Sequence, residues 1–142
     1  MALAPGASPG FLLWHATLRW QRDIAAALVP LGLTHVQFVL LACTWWLNER
    51  GEQPNQLAVA RQAGTDVKMT SQVIRTLADK GLLTRETDPH DTRAKRLRVT
   101  PAGAELAPRA IAAVEQVDAD FFAAGPTGDV IALLTPLAHP EG

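Results

Sequence analysis

The stretch that decides the fold runs from Gly81 to Gly103 and reads GLLTRETDPHDTRAKRLRVTPAG. Two of its segments, residues 82–87 and 96–100, predict β-strands, because charged and apolar side chains alternate in the second of them. The eight residues between the strands, 88–95, are too many for a tight two-residue turn. The stretch therefore predicts a β-hairpin whose loop projects from the protein.

Upstream of the hairpin, the sequence predicts two short helices joined through a glycine turn. The first covers residues 56–63, with Asn55 as its cap and Gly64 as its stop, and the second runs from Asp66 to Lys80. Two short helices in this arrangement are typical of a helix-turn-helix.

Longer helices are predicted on both sides of this unit. An amphipathic helix begins at Phe11 and ends before Pro30. Thr34 and Gln37 have the spacing of a capping box, so a second helix follows over residues 36–48. This second helix is apolar nearly all round, which predicts that it forms the buried centre.

After the hairpin, Thr100 predicts the cap of another helix, with Pro101 at its first position. Pro108 lies within the same helix and predicts a kink or a broken first turn. A last helix is expected over residues 129–137. The chain thus predicts a mainly α fold of the α+β class, a helix-turn-helix followed by a hairpin, with helices added at both ends.

Composition and charge limit the possible functions. A chain of 142 residues with 48% hydrophobic and 19% charged residues predicts one globular domain. The net charge of −1 argues at first against a nucleic-acid partner, but residues 61–98 contain nine basic and five acidic side chains, a local charge of +4 that leaves −5 elsewhere. A basic segment of this kind is the electrostatic footprint of phosphate binding.

The second short helix has two different faces. One face carries Met69, Val73, Ile74, Leu77 and Ala78, and the other carries Lys68, Ser71, Gln72, Arg75 and Asp79. Gln and Arg can read adenine and guanine edges, and the alternative is an ordinary polar surface. The candidate DNA-binding residues of this helix and the hairpin are Lys68, Thr70, Ser71, Gln72, Arg75, Arg93, Lys95 and Arg96, with Asp91 as an ion-pair partner that shapes the loop tip.

The sequence indicates neither an enzyme nor a metal or cofactor site. There is no nucleophile beside a plausible base and no glycine-rich phosphate loop. Asp88, His90 and Asp91 could ligate a metal, but three neighbouring loop residues cannot surround an ion. The single cysteine, Cys43, and the lack of a signal peptide or membrane span lead us to expect a cytoplasmic protein.

The segments GLLTR (81–85), DTR (91–93) and LRVTPAG (97–103) together resemble the signature of the multiple-antibiotic-resistance regulator (MarR) family. The resemblance extends from about Phe11 to about Leu137. It implies a winged helix-turn-helix homodimer, usually a repressor that a small molecule releases from double-stranded DNA. By the same resemblance the recognition helix is 66–80, and Arg93 is the wing arginine held by Asp91.

The start of the chain, residues 1–10, is rich in Pro and Gly and is expected to be disordered. The resemblance assigns residues 11–142 to one domain. Its dimerisation helices would cover about 11–30 and 101–138, and the winged helix-turn-helix about 34–100. Peroxide-sensing members use a cysteine near the start of the first helix with tyrosine partners, whereas this chain has only Cys43 and no tyrosine. Zinc-sensing members need clustered ligands, whereas the four histidines here are scattered.

Family members bind small anionic or aromatic inducers in an aromatic-lined cleft. The candidates for such a pocket are Trp14, His15, Arg19, Phe38, Trp45 and Trp46, with Arg19 suited to a carboxylate. The alternative for each aromatic residue is ordinary core packing. Two other functions stay open at this point: a winged-helix module that binds protein, and a thiol-responsive regulator that uses Cys43.

Overall fold

The computed structural model describes residues 3–87, 89–90, 95–126 and 129–140. In chain order the elements are α1 (Pro9–Leu28), α2 (His35–Glu49), α3 (Gln56–Ala63), α4 (Val67–Asp79), β1 (Leu83–Thr87), β2 (Lys95–Val99), α5 (Pro101–Phe122) and α6 (Val130–Ala138). Short 3-10 turns, Pro5–Ala7 and Val29–Leu31, lie at the two ends of α1. This is the predicted winged helix-turn-helix with additional helices at both ends.

Side-chain caps define the helix starts. The Thr34 hydroxyl accepts from the Gln37 amide, and the Gln37 side chain accepts from the Thr34 amide, which confirms the capping box. Asn55, Asp66 and Thr100 cap α3, α4 and α5, each by accepting from the amide three residues later. Helix α1 begins two residues earlier than predicted, because the Ser8 hydroxyl accepts from the Phe11 amide and Pro9 occupies the first turn.

Helix α2 is the centre of the molecule, as its sequence predicts. It packs against α1, α3, α4, α5 and β2. Leu40, Leu41, Thr44 and Leu47 are buried in it, and the Thr44 hydroxyl donates to the Leu40 carbonyl, so the one polar group in this set has a partner. The exposed tryptophan of α2, Trp46, departs from this pattern.

Strands β1 and β2 pair antiparallel, with Leu83 opposite Val99 and Thr87 opposite Lys95. Leu97 is fully buried, in agreement with its predicted inward orientation. Beyond the hairpin, the prediction of a broken first turn in α5 is wrong, since the helix continues across Pro108. Pro108 lies on the exposed side of α5. A proline at this position removes one helical donor, that of the amide four residues after Ala104.

The start of α5 lies directly against the end of α4. The Thr100 amide donates to the Leu82 carbonyl, and the Thr100 hydroxyl donates to the Gly81 carbonyl at 2.6 Å. Gly103 comes so close to this turn that a Cβ atom there would lie 2.1 Å from the Leu82 carbonyl oxygen. A glycine is therefore required where the two helices meet.

No single helix within the described ranges is both long and apolar enough to cross a bilayer. The segments Pro9–Leu31 and His35–Glu49 pass that criterion only when taken together across a bend of 72°. The buried core helices of globular proteins pass it as well.

We expect Gly103→Ala to lower the free energy of unfolding by about 1–3 kcal/mol or more, because the new methyl group must displace backbone rather than a flexible side chain. Chemical denaturation followed by circular dichroism measures this change. Gly10→Ala is the matched control, since a Cβ at Gly10 meets nothing within 4 Å. Equal stabilities for the two variants would contradict the close approach.

Candidate nucleic-acid interface

Helix α4 presents one polar face to solvent. Lys68, Gln72 and Arg75 are exposed and Ser71 is half-buried, as the sequence predicts for this face. Thr76, which the sequence reasoning missed, is exposed on the same side, and its hydroxyl donates to the Gln72 carbonyl. Thr76 lies four residues after Gln72, and this spacing places both side chains on the same side of a helix. The face therefore combines two cations with neutral hydrogen-bonding groups.

Thr70 does not belong to this face, although it was among the predicted DNA-binding residues. It is fully buried, and its hydroxyl donates to the Asp66 carbonyl at 2.7 Å and lies 2.7 Å from the Thr65 hydroxyl. At 100° per residue, Thr70 shares the inner side of α4 with Ile74 and Leu77, which are also buried. Its role is to close the turn between α3 and α4.

The two strands of the hairpin carry the second group of predicted contacts. Lys95 is exposed and donates from Nζ to the Thr87 hydroxyl at 3.1 Å. Arg96 is half-buried and donates to Gln53 Oε1 at 3.0 Å, so its guanidinium already packs against the segment before α3. Asp91 and Arg93, the predicted ion pair of the tip, lie outside the described residues.

One amide side chain attaches the hairpin to the central helix. Asn48, at the end of α2, donates from Nδ2 to the carbonyls of Glu52 and Leu97 and accepts at Oδ1 from the Val99 amide. The Leu97 amide also donates to the Pro54 carbonyl at 2.8 Å. Strand β2 is thus held to the end of α2 and to residues 52–54. From the sequence, Asn48 is recognisable only as the last residue of the predicted helix 36–48, and these hydrogen bonds were not predicted.

The six predicted pocket residues do not form one pocket. His15 and Arg19 line a cleft of about 650 Å³ between α1 and the end of α5 with α6. Its other walls include Phe121, Phe122 and Leu133. A smaller cleft of about 250 Å³ shares Ala16 and both phenylalanines with it and is also lined by Trp20. Trp20 and the α5 phenylalanines were not among the predicted residues.

The remaining pocket candidates lie elsewhere. Trp14 is 61% exposed on α1, and Phe38 and Trp45 are partly buried against the core. Trp46 is exposed and lies under the Arg50 guanidinium, 4.5 Å from the ring centroid. Phe38 and Trp45 thus pack against the core, which is the alternative considered for them in the sequence. Phe38 and Trp45 are seven residues apart and lie on the same side of α2, whereas Trp46 lies about 100° away from Trp45.

Among the described residues, two side chains have a shifted pKa, His35 and Cys43. Burial lowers the pKa of His35, whereas the nearby Asp118 carboxylate acts in the opposite direction. Burial raises the pKa of the Cys43 thiol, which reduces the thiolate fraction that oxidants attack. Within the described part of the chain, no three His, Cys, Asp or Glu side chains come together as a metal site would require.

Comparisons with known proteins agree with this geometry. Residues 33–95 match the sequence model of the MarR family. The chain is 44% identical over 120 residues, 84% of its length and 82% of the relative's, to the uncharacterized HTH-type transcriptional regulator YdcH of Bacillus subtilis. It is 32% identical over 123 residues, 87% and 86% of the two chains, to the HTH-type transcriptional repressor Rv2887 of Mycobacterium tuberculosis.

Solved structures are similar along nearly the whole chain. CouR from Rhodococcus jostii, bound to p-coumaroyl-CoA, superposes with a TM-score of 0.83 at 26% identity and 99% coverage of both chains. Rv2887 in complex with p-aminosalicylic acid gives a TM-score of 0.68 at 26% identity, over 96% of this chain and 100% of that one. Rv2887 has also been solved with salicylic acid.

Proposed function

Because the chain belongs to the MarR family of winged helix-turn-helix transcriptional regulators, we propose that it is a repressor that binds an inverted-repeat operator as a homodimer and leaves it when a small aromatic acid binds. DNA binding and transcriptional regulation follow from the family itself. The alternatives of a protein-binding module and a thiol-responsive regulator are not favoured. The observation that carries the proposal is the exposed face of α4 beside the basic hairpin.

The roles of individual residues follow from the chemistry of the two elements. Gln72 and Arg75 can each make two hydrogen bonds to a base edge in the major groove. Lys68 and Lys95 are point charges suited to phosphate, and Ser71 to either. We assign Arg93 to the wing by the family pattern. We assign Arg96, a candidate from its place in the basic hairpin, as a support because it is bonded to Gln53.

We expect Arg75→Ala to cost about 1–3 kcal/mol of binding at one operator base pair and to relax the base preference there. Lys95→Ala is expected to weaken binding to all sequences and to reduce the salt slope by about one. Fluorescence anisotropy across salt concentrations, with a duplex from the region upstream of its own gene, measures both effects. Arg22→Ala, an exposed cation of α1, is the control. Salt-independent binding, or identical affinities for all variants, would contradict the proposal.

The homodimer is proposed from the apolar surface at the two ends of the chain. Leu13 on α1 is 60% exposed, and Ile131 and Leu137 on α6 are 76% and 68% exposed. Other large apolar side chains on the same two helices are exposed as well: Phe11, Leu12, Trp14, Leu18, Leu133 and Leu134. Apolar patches of this extent mark association surfaces, and a second copy can cover both helices symmetrically.

We expect Leu13→Asp to shift the chain from dimer to monomer, because a carboxylate would be buried at the interface without a partner. Size-exclusion chromatography with light scattering gives the mass. Leu57→Asp is the matched control, since Leu57 is 43% exposed on α3, outside the proposed interface. A wild-type chain that stays monomeric at micromolar concentration would overturn the dimer.

The inducer proposal rests on the cleft lined by His15 and Arg19. An aromatic ring fits between Phe121, Phe122 and Leu133, and a carboxylate fits the Arg19 guanidinium, which can bind it with two hydrogen bonds. The Rv2887 repressor has been solved with two such acids. We infer that this chain takes a ligand of the same class.

Salicylate is the probe for this site. We expect Arg19→Gln to weaken salicylate binding by about tenfold or more, the loss of one charge-assisted contact of about 1.5–3 kcal/mol. Isothermal titration calorimetry measures the affinity. Arg22→Gln, three residues further along α1, is the matched control and is expected to bind like the wild type. An equal loss of salicylate affinity in both variants would contradict the binding of the carboxylate by Arg19.

A further inference from the structure

Lys80, the last residue before the glycine turn that ends α4, reaches across to a distant part of the chain. Its Nζ donates to the Gly32 carbonyl and, at 2.9 Å, to Gln37 Oε1. Gly32 lies in the connection between α1 and α2, and Gln37 lies in the first turn of α2. The C-terminal end of the recognition helix is thus bonded to a segment more than forty residues earlier in the chain.

The segment to which Lys80 donates is itself held by other contacts. Gln37 Oε1 also accepts from the Thr34 amide, as part of the capping box. Next to this cap, the His35 ring packs edge-on against Trp20 of α1, with ring centroids 5.1 Å apart. The Trp20 indole in turn donates to Asp118 of α5 at 2.8 Å. The start of α2, where Lys80 binds, is therefore connected to both long terminal helices, α1 and α5.

The same end of α4 has a second anchor, the turn at Gly81 and Leu82 held by Thr100 and packed against Gly103. Helix α4 also packs against α2 and α3, with Ile74 and Leu77 buried. The bonds of Lys80 add direction to that packing, and the turn at Gly81 and Leu82 is the pivot of any rotation that the packing still allows. Lys68 lies twelve residues from Lys80, about 18 Å along the helix. A rotation of about 5° at the pivot would therefore move that end by about 1.5 Å, enough to disturb base contacts.

We propose that Lys80 is a positioning residue that sets the direction of the recognition helix relative to α1 and α5, and thereby the half-site spacing that the regulator accepts. This inference rests on the proposed homodimer. In a two-fold dimer the terminal helices join the subunits, so the angle of each α4 against them determines the distance between the two reading faces.

The test compares a set of duplexes whose half-sites are separated by the native spacing or by one or two base pairs more or less. One base pair turns a half-site by about 34–36°, so we expect the wild type to prefer the native spacing by about tenfold or more. Lys80→Met keeps the stem and removes the donors, and it is expected to reduce this preference to about threefold or less. Lys80→Arg, which retains donors, should restore it.

Lys68→Met is the matched control, since Lys68 is on the reading face itself. It should weaken binding by the same factor at every spacing and lower the salt slope by about one, as for a phosphate contact. If Lys80→Met also weakens binding by the same factor at every spacing and lowers the salt slope, Lys80 is a DNA contact and the proposal is overturned. Unchanged spacing preference in Lys80→Met would overturn it as well.

A measurement without DNA separates this inference from the homodimer. Hydrogen exchange in the free protein should be faster in Lys80→Met at residues 32–38 and 77–82, and unchanged there in Lys68→Met. If the wild type shows no spacing preference, the dimer proposal fails and the exchange result alone decides whether Lys80 holds α4. Equal exchange in both variants would reject the anchor.

Discussion

The contact between Gly103 and the Leu82 carbonyl is the constraint on which the rest of the structure depends. It brings together the end of α4, the start of β1 and the start of α5 within a few residues. Two hydrogen bonds from Thr100 hold the same point. Because the backbones touch without an intervening side chain, the turn after α4 and the start of α5 are held in close contact.

Hydrogen bonds between elements act together with apolar packing to determine the direction of each exposed element. Asn48 attaches β2 to the end of α2, and Lys80 attaches α4 to the start of α2. The buried leucines of α2 supply cohesion, but apolar contacts are non-directional. Hydrogen bonds that cross between elements add the direction that a surface for reading DNA needs.

The local elements were predictable from the sequence because their signals are local. The capping box at Thr34, the cap at Asn55 and the hairpin between Gly81 and Gly103 were all recognised from short spacings and are present in the structure. The prediction for Thr70 is wrong because this residue was included among the DNA contacts although the helical angle does not place it on the polar face. The predicted broken turn at Pro108 is wrong, since α5 continues across it.

The pocket was the least predictable part, because it depends on where distant elements meet. Arg19 and His15 were identified on α1, but the opposite wall comes from Phe121 and Phe122, one hundred residues later. The sequence contains no short spacing that joins these positions. Only the packing of α1 on α5 brings them together.

The four tryptophans in a chain without tyrosine have a practical consequence for spectroscopy. Trp14 is on the exposed side of α1, Trp20 is bonded to Asp118 at the junction of three helices, and Trp45 and Trp46 are on α2. Ultraviolet emission from this chain therefore comes from indoles alone, in environments that differ in polarity. Variants that keep a single indole would give separate optical signals from the terminal helices, the junction and the central helix.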